Sequence, residues 1–182
     1  IGRAVALGLA DRGYDVAIND IASEKAGLDS LAAEIQKKGQ RALPVVADIS
    51  NHEQVDAMFQ KIFSEWEVLD VLVNNAGILT VSRVEDLAEE AWDKVFDVNA
   101  KGTFLVTKAA IPHMKARRSG RIIHMASIGG KQGGPGQAHY CSSKGAVIEF
   151  TRVLAMELGE YGITVNAVCP GIILTEMGRN NL

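Results

Sequence analysis

The sequence predicts a doubly wound α/β fold: a parallel sheet covered by helices on both faces, in three layers, with residues 1–182 as one domain. Two observations predict it. Segments with helical periodicity alternate strictly with short strand-like runs. Several of those runs, VLDVLV at 68–73 and ITVNAVC at 163–169, are apolar on both faces, as in a sheet covered on both sides. In such sheets ligands bind beyond the carboxyl ends of the strands, so the chemistry is expected just after each strand. No internal repeat, linker or low-complexity tract divides the chain.

The elements follow in order. Residues 1–12 read as a helix already under way, stopped by Gly13. Residues 14–19 form a strand that stops at Asp20. Ser23 is placed to cap a helix running to about Lys38, with Gly39 as its stop. A strand over 41–47 follows, although Pro44 lies inside it, and Asp48 comes after it. Ser50 or Asn51 caps the next helix, to about Trp66. The strand at 68–73 runs into Asn74-Asn75-Ala76-Gly77. A helical region is strongest over 89–115, and residues 120–126 form a strand. A glycine-rich loop at 128–138 leads into a helix over 139–160. Gly162 opens the strand at 163–169, closed by Pro170-Gly171.

Composition narrows the function classes. With 47% apolar and 23% charged residues the chain has the balance of an ordinary soluble protein, and a cytoplasmic one is expected. A net charge of −3 gives no attraction to nucleic acid or anionic membrane, and no apolar run approaches membrane-spanning length. The basic run Lys115-Ala116-Arg117-Arg118 falls near a helix end, where cations suit the helix dipole. Cys141 and Cys169 form no CxxC or Cys/His ligand spacing, so no metal site is expected.

The candidate chemistry sits at the strand ends. Asp20 lies 18 residues after Gly2, near the place where a dinucleotide-binding fold carries an acidic residue for the adenosine ribose hydroxyls. A carboxylate there repels a 2′-phosphate and favours NAD over NADP; a turn-initiating Asp is the plainer alternative. Ala76-Gly77 allows close backbone approach to a ligand, or forms a simple turn. Ser127 ends a strand, and 13 residues later comes Tyr140-Cys141-Ser142-Ser143-Lys144. Tyr140 and Lys144, four apart on a helix, share a face. A cation near a phenol favours the phenolate, which suits a group that must give and take a proton. Ser127 can hydrogen-bond an oxygen that gains or loses charge. Any amphipathic helix can carry Tyr-x-x-x-Lys; the order of strand-end serine, glycine loop, tyrosine and lysine is more specific. Cys141 is turned about 100° away from Tyr140 around the helix and is given no role. His139, a lone histidine, reads as structural or exposed before it reads as a substrate contact.

Taken together, Gly2, Asp20, Asp48, Asn74-Asn75-Ala76-Gly77, Asn99, Ser127, Tyr140-x-x-x-Lys144 and Pro170-Gly171-x-x-x-Thr175 resemble the short-chain dehydrogenases/reductases, over the whole chain. The resemblance implies a Rossmann fold binding NAD, with NADP less favoured. It implies Tyr140 as general acid/base, Ser127 as the residue polarising the substrate oxygen, and Lys144 on the nicotinamide ribose. Asn99 would anchor a water linked to the lysine. Asp48 would contact the adenine, Asn75, Ala76 and Gly77 would line the cofactor, and Ile173 and Thr175, beyond Pro170 and Gly171, would meet the carboxamide and phosphates. The implied reaction is hydride transfer between NAD(H) and a small secondary alcohol or ketone. A homodimer or homotetramer through helices 89–115 and 139–160 is expected, because Phe104, Leu105, Ala109, Val147, Phe150 and Leu154 exceed what one sheet face needs.

In that family Ile1-Gly2 would close a glycine loop preceded by a strand, and further helices and a strand would follow Leu182. The expectation is therefore an excerpt of a complete dehydrogenase; a short non-catalytic partner of an intact subunit is the alternative from another class. For substrate, Cys169-Pro170-Gly171-Ile172-Ile173 and Asp20 resemble acetoin/butanediol and polyol dehydrogenases. A 3-oxoacyl-[acyl-carrier-protein] reductase using NADPH is the alternative.

Overall fold

The computed structural model describes residues 1–180. The chain forms two compact units, Ile1–Val68 and the residues from Leu69 onward.

The first unit contains α1 (Gly2–Ala10), β1 (Val16–Asp20), α2 (Lys25–Lys37), β2 (Ala42–Val46) and α3 (His52–Glu65). β1 and β2 pair in parallel, with Asp20 opposite Val46. The apolar positions 28, 31, 32 and 35 put one stripe of α2 into a core with Ala6, Ala10, Val16 and Ile18. Val55, Met58, Phe59 and Ile62 repeat that spacing on α3. Gly13 and Gly39, at φ +88° and +87°, turn the chain after α1 and α2 as expected. Pro44 does fit inside β2. Ala47 N donates to Asp20 O, so odd-numbered N–H groups face β1 and the missing N–H of Pro44 points away. The Pro44 carbonyl, on that outer side, accepts from Lys61 Nζ. Asn51 caps α3 by accepting from Gln54 N at 3.1 Å. Ser23 does not cap α2: it lies inside a 3-10 turn, Ala22–Glu24, that has already begun to wind before the helix starts.

The second unit contains β3 (Val71–Asn74), α4 (Glu89–Phe96), α5 (Thr103–Arg117), β4 (Gly120–Met125), α6 (Gly129–Gln132), α7 (Ala138–Leu158), β5 (Ile163–Val168) and α8 (Glu176–Asn180). The strands are parallel in the order β3-β4-β5. Met114 of α5 and Leu154 and Leu158 of α7 bury Ile122, Ile163 and Val165. On β5 the alternate residues Thr164 and Asn166 are exposed, so within this unit the strand alternates where the sequence reads as apolar on both faces. A methyl group at Gly120 would overlap the Met114 side chain, which sets how closely α5 returns to β4. The helical region at 89–115 is not one helix. A π-helical turn, Asp97–Gly102, separates α4 from α5 and carries Asn99. No helix of the described residues is long and apolar enough to cross a membrane.

Candidate active site

Ser127 follows β4, and the sheet ladder continues past it. Ala126 N donates to Val168 O at 2.9 Å and Ile128 N to Pro170 O at 3.0 Å, which fixes the ends of β4 and β5 side by side. The Ser127 hydroxyl accepts from Gly129 N at 3.0 Å, at the start of α6. The two glycines that follow let α6 lie against α7. A methyl group at Gly130 would stand 2.7 Å from the Lys144 carbonyl carbon, an overlap with backbone that cannot relax. One at Gly129 would meet Cys141 Sγ at 3.1 Å, Ser127 Oγ at 3.4 Å and Tyr140 Cε1 at 3.7 Å. Ser127 and Tyr140 therefore converge over bare backbone at Gly129.

Lys144 is 5% exposed, and its Nζ donates to Met125 O at 2.7 Å. Nζ lies 5.9 Å from the centre of the Tyr140 ring. Burial pushes the Lys144 ammonium down to about 8. Asn99 is fully buried on the π turn. Its Oδ1 accepts from Ile78 N at 2.8 Å, while Nδ2 donates to Ile78 O and to Ser143 Oγ, both at 3.0 Å. It thereby fixes the loop after β3. In that loop a methyl group at Gly77 would come 3.1 Å from Asn99 Oδ1 and 3.2 Å from Lys144 Nζ. The absence of a side chain at Gly77 leaves a polar cradle in which Lys144 uses one of its three donors on protein. This donor set fits a hydroxyl-bearing ring such as a ribose.

The other expected residues are distributed as follows. Pro170 lies next to Ser127 through its carbonyl; Gly171, the exposed Ile173 and Thr175 continue from it. Thr175 Oγ1 accepts from Gly178 N at 3.1 Å, starting α8. Asn75 and Ala76 lie in the loop that Asn99 fixes. In the first unit Gly2 opens α1, and Asp20 and Asp48 stand at the carboxyl ends of the paired strands β1 and β2. Asp20 is exposed and its Oδ1 accepts from Ile21 N at 2.9 Å. Asp48 Oδ1 accepts from Ser50 N and Ser50 Oγ at 2.9 and 2.7 Å.

Several residues at the site have little sequence signal. Ser143 holds Asn99 and donates to Tyr140 O at 2.7 Å. His139 is fully buried, not exposed, and its Nε2 is 2.6 Å from Thr80 Oγ1. Behind the site, Asn74 Nδ2 donates to Thr107 Oγ1 at 2.9 Å. His124, fully buried on β4, is hydrogen-bonded to Thr107 at 3.2 Å and to Thr151 at 2.9 Å. Burial pushes His124 down to about 4. Neither histidine carries a local signal, because the partners of His124 lie on helices α5 and α7 and the partner of His139 lies in the loop after β3.

The short chain dehydrogenase family profile matches residues 1–182. The chain belongs to this family. As a short-chain dehydrogenase it is a nucleotide-binding oxidoreductase with a Rossmann-type α/β fold, working with NAD(P)(H) on a small-molecule substrate. It is 43% identical over 177 residues to a 3-oxoacyl-[acyl-carrier-protein] reductase of Staphylococcus aureus, covering 97% of this chain and 72% of that one. It is 44% identical over 177 residues to a (2S)-[(R)-hydroxy(phenyl)methyl]succinyl-CoA dehydrogenase subunit of Thauera aromatica, covering 97% and 70%. Among solved structures, NAD+-bound xylitol dehydrogenase superposes with a TM-score of 0.94 at 34% identity, over 99% of this chain and 69% of that one.

Proposed function

We propose that this short-chain dehydrogenase interconverts the ketone of a 3-oxoacyl thioester and the corresponding secondary alcohol. The observation that carries the reaction type is the convergence of Ser127 and Tyr140 over Gly129, with the buried Lys144 ammonium beside the phenol. The acyl class rests on relatives above 40% identity, two of which have names that specify different carriers but share an acyl thioester with an oxygen function. That similarity supports the 3-oxoacyl reductase alternative over the acetoin/butanediol or polyol reading. The polyol reading stays second, favoured by the xylitol dehydrogenase superposition.

In this reading the Ser127 hydroxyl donates to the substrate oxygen and the Tyr140 phenol gives that oxygen its proton, or removes it in the reverse direction. The nicotinamide, when bound, supplies or accepts the hydride at the carbon. Lys144 holds the ribose hydroxyls with the donors that Met125 leaves free, and its charge favours the tyrosinate that forms as the proton leaves. Asn99, through Ile78 and Ser143, keeps the lysine and its loop in register. Asn75, Ala76, Gly77, Pro170, Gly171, Ile173 and Thr175 line the nicotinamide half. Gly2, Asp48 and Asp20 hold the remainder, with Asp20 on the adenosine ribose and selecting NAD(H) by repelling a 2′-phosphate. The exposed Phe104, Val153 and Met156 on α5 and α7 fit association into a homodimer or homotetramer.

Turnover of acetoacetyl thioester, acetoin and a sorbitol-type polyol, each with both nicotinamide cofactors, tests this reading. The expected result is the highest kcat/KM for the thioester, with NADH. A higher value for acetoin or the polyol overturns the acyl class, and a clear NADPH preference removes the role given to Asp20.

A further inference from the structure

The segment 77–82 runs along the first turns of α7 in the opposite direction. Gly77 lies against Lys144 Nζ, Thr80 Oγ1 is 2.6 Å from His139 Nε2, and Ser82 N donates to Gly136 O at 2.9 Å. Tyr140 falls between the first and second of these contacts, so Thr80 borders the turn that carries the phenol. Thr80 is exposed and its partner His139 is fully buried.

Only one imidazole nitrogen of His139 is bonded. Its Nδ1 is buried with no hydrogen-bond partner among the described residues. A neutral imidazole has one N–H and one bare lone pair. Orphaned buried N–H groups are rarer than under-satisfied acceptors, which places the proton on Nε2, facing Thr80. Thr80 Oγ1 then accepts from His139, and its own hydrogen is free to donate on the exposed side. Burial lowers the His139 pKa, so this neutral arrangement persists at neutral pH.

We infer that Thr80 is a substrate-positioning residue: its hydroxyl, oriented by His139, donates to a second acceptor oxygen on the substrate, the thioester carbonyl of a 3-oxoacyl group. This rests on the acyl reading above. In such a group the second carbonyl is one methylene from the ketone, so a donor bordering the Tyr140 turn can hold it while Ser127 and Tyr140 hold the ketone oxygen. Two fixed oxygens determine which face of the ketone is presented for reduction.

Thr80→Val, which removes the hydroxyl and keeps the shape, is compared with the unaltered protein on acetoacetyl thioester, a 1,3-diketone and a plain methyl ketone. The ratio of kcat/KM between the two-oxygen substrates and the methyl ketone falls about tenfold, through KM, the scale of one hydrogen bond. Thr80→Ser retains the ratio. His139→Phe lowers it as far as Thr80→Val, and the double variant no further, since the two act as one pair. If His139→Phe fails to fold, the exposed Thr80 variants decide alone. An unchanged ratio in Thr80→Val, or an equal loss on all three substrates, overturns the inference. Turnover of the diketone with the Thr80 effect but none of the thioester would remove the acyl reading and leave Thr80 in place. Good thioester turnover without the effect does the opposite.

Discussion

From Ile1 to Val68 the buried side chains among the described residues are all apolar, whereas from Leu69 onward nine buried side chains are polar, Asn99, His124, His139 and Lys144 among them. The first unit keeps its charges outside. Arg3–Glu34, Lys25–Asp29, Lys38–Asp11 and Arg41–Asp15 are ion pairs with at least one partner well exposed, and Asp20 is exposed at its strand end. The second unit removes polar groups from water and must satisfy each from within. Burial without full compensation costs stability. The candidate chemistry coincides with that cost: the residues proposed to move a proton are set among the buried polar groups, and those proposed to hold the adenosine end are on a scaffold with an apolar core. The contrast fits a division between an apolar-cored frame and a chemically committed region.

The largest effect to be expected is on activity. Tyr140→Phe should lower kcat by about three orders of magnitude, within the range for loss of a general acid/base. Nicotinamide nucleotide affinity by calorimetry should change by less than about twofold, because Lys144 and the Gly77 loop are untouched, the allowance being well under one hydrogen bond. Retained turnover would remove Tyr140 from the mechanism and weaken the contrast between the units.

The next effect concerns stability in acid. His124 is neutral when folded, pushed from 6.5 to about 4 by burial. The unfolded chain therefore binds the extra proton first. Stability is full above pH 6.5 and falls as pH drops toward 4, by about 3 kcal/mol in total from this group. His113 and His139, both lowered by burial, add in the same direction. Urea unfolding at pH 7, 5.5 and 4 measures the slope, and His124→Asn should flatten it. A slope unaltered in that variant would mean that acid sensitivity arises elsewhere.

A smaller gain should come from removing the charge of Lys144. Its folded value of about 8 against an ordinary 10.5 means that the buried ammonium is unfavourable below pH 8 and that the penalty fades as pH rises from there toward 10.5. Lys144→Met removes the ammonium and also the bond to Met125 O. The net gain should be about 1–2 kcal/mol, read as a Tm several degrees higher at pH 7, while turnover is abolished. A destabilised variant would show that the ammonium is better compensated than its burial implies.

The sequence made the periodic and catalytic parts of this contrast legible. The stripe at 28, 31, 32 and 35, the stops at Gly13 and Gly39, and the order Ser127, glycine loop, Tyr140, Lys144 are all local or nearly so. What stayed hidden depends on which surfaces meet. Gly129 and Gly130 read as loop glycines, yet they permit α6 to touch the backbone of α7. The π turn at Asn99 is invisible to helical periodicity, since both flanks are helical. Whether His139 is structural or exposed stays open in the sequence because its partner Thr80 is 59 residues away. Cys169-Pro170-Gly171-Ile172-Ile173 suggested acetoin or polyol substrates, but a short phrase weighs less than 43% identity over 177 residues to a 3-oxoacyl reductase.

The smallest effect tests the other side of the comparison. Lys25–Asp29 is an i,i+4 pair at 2.5 Å that starts on the first residue of α2, with side chains 65% and 52% exposed. Water and salt screen such a pair, and ordering two long side chains offsets the attraction. The order is also unfavourable: a lysine at the amino end of a helix opposes the dipole, and an acid would suit it. Lys25→Ala should therefore change unfolding free energy by less than about 0.5 kcal/mol, with little salt dependence remaining. A loss above about 1 kcal/mol in urea unfolding at low salt would show that the surface charges of the first unit carry part of its stability. Its apolar core would then no longer be a sufficient account of why it can do without buried polar groups.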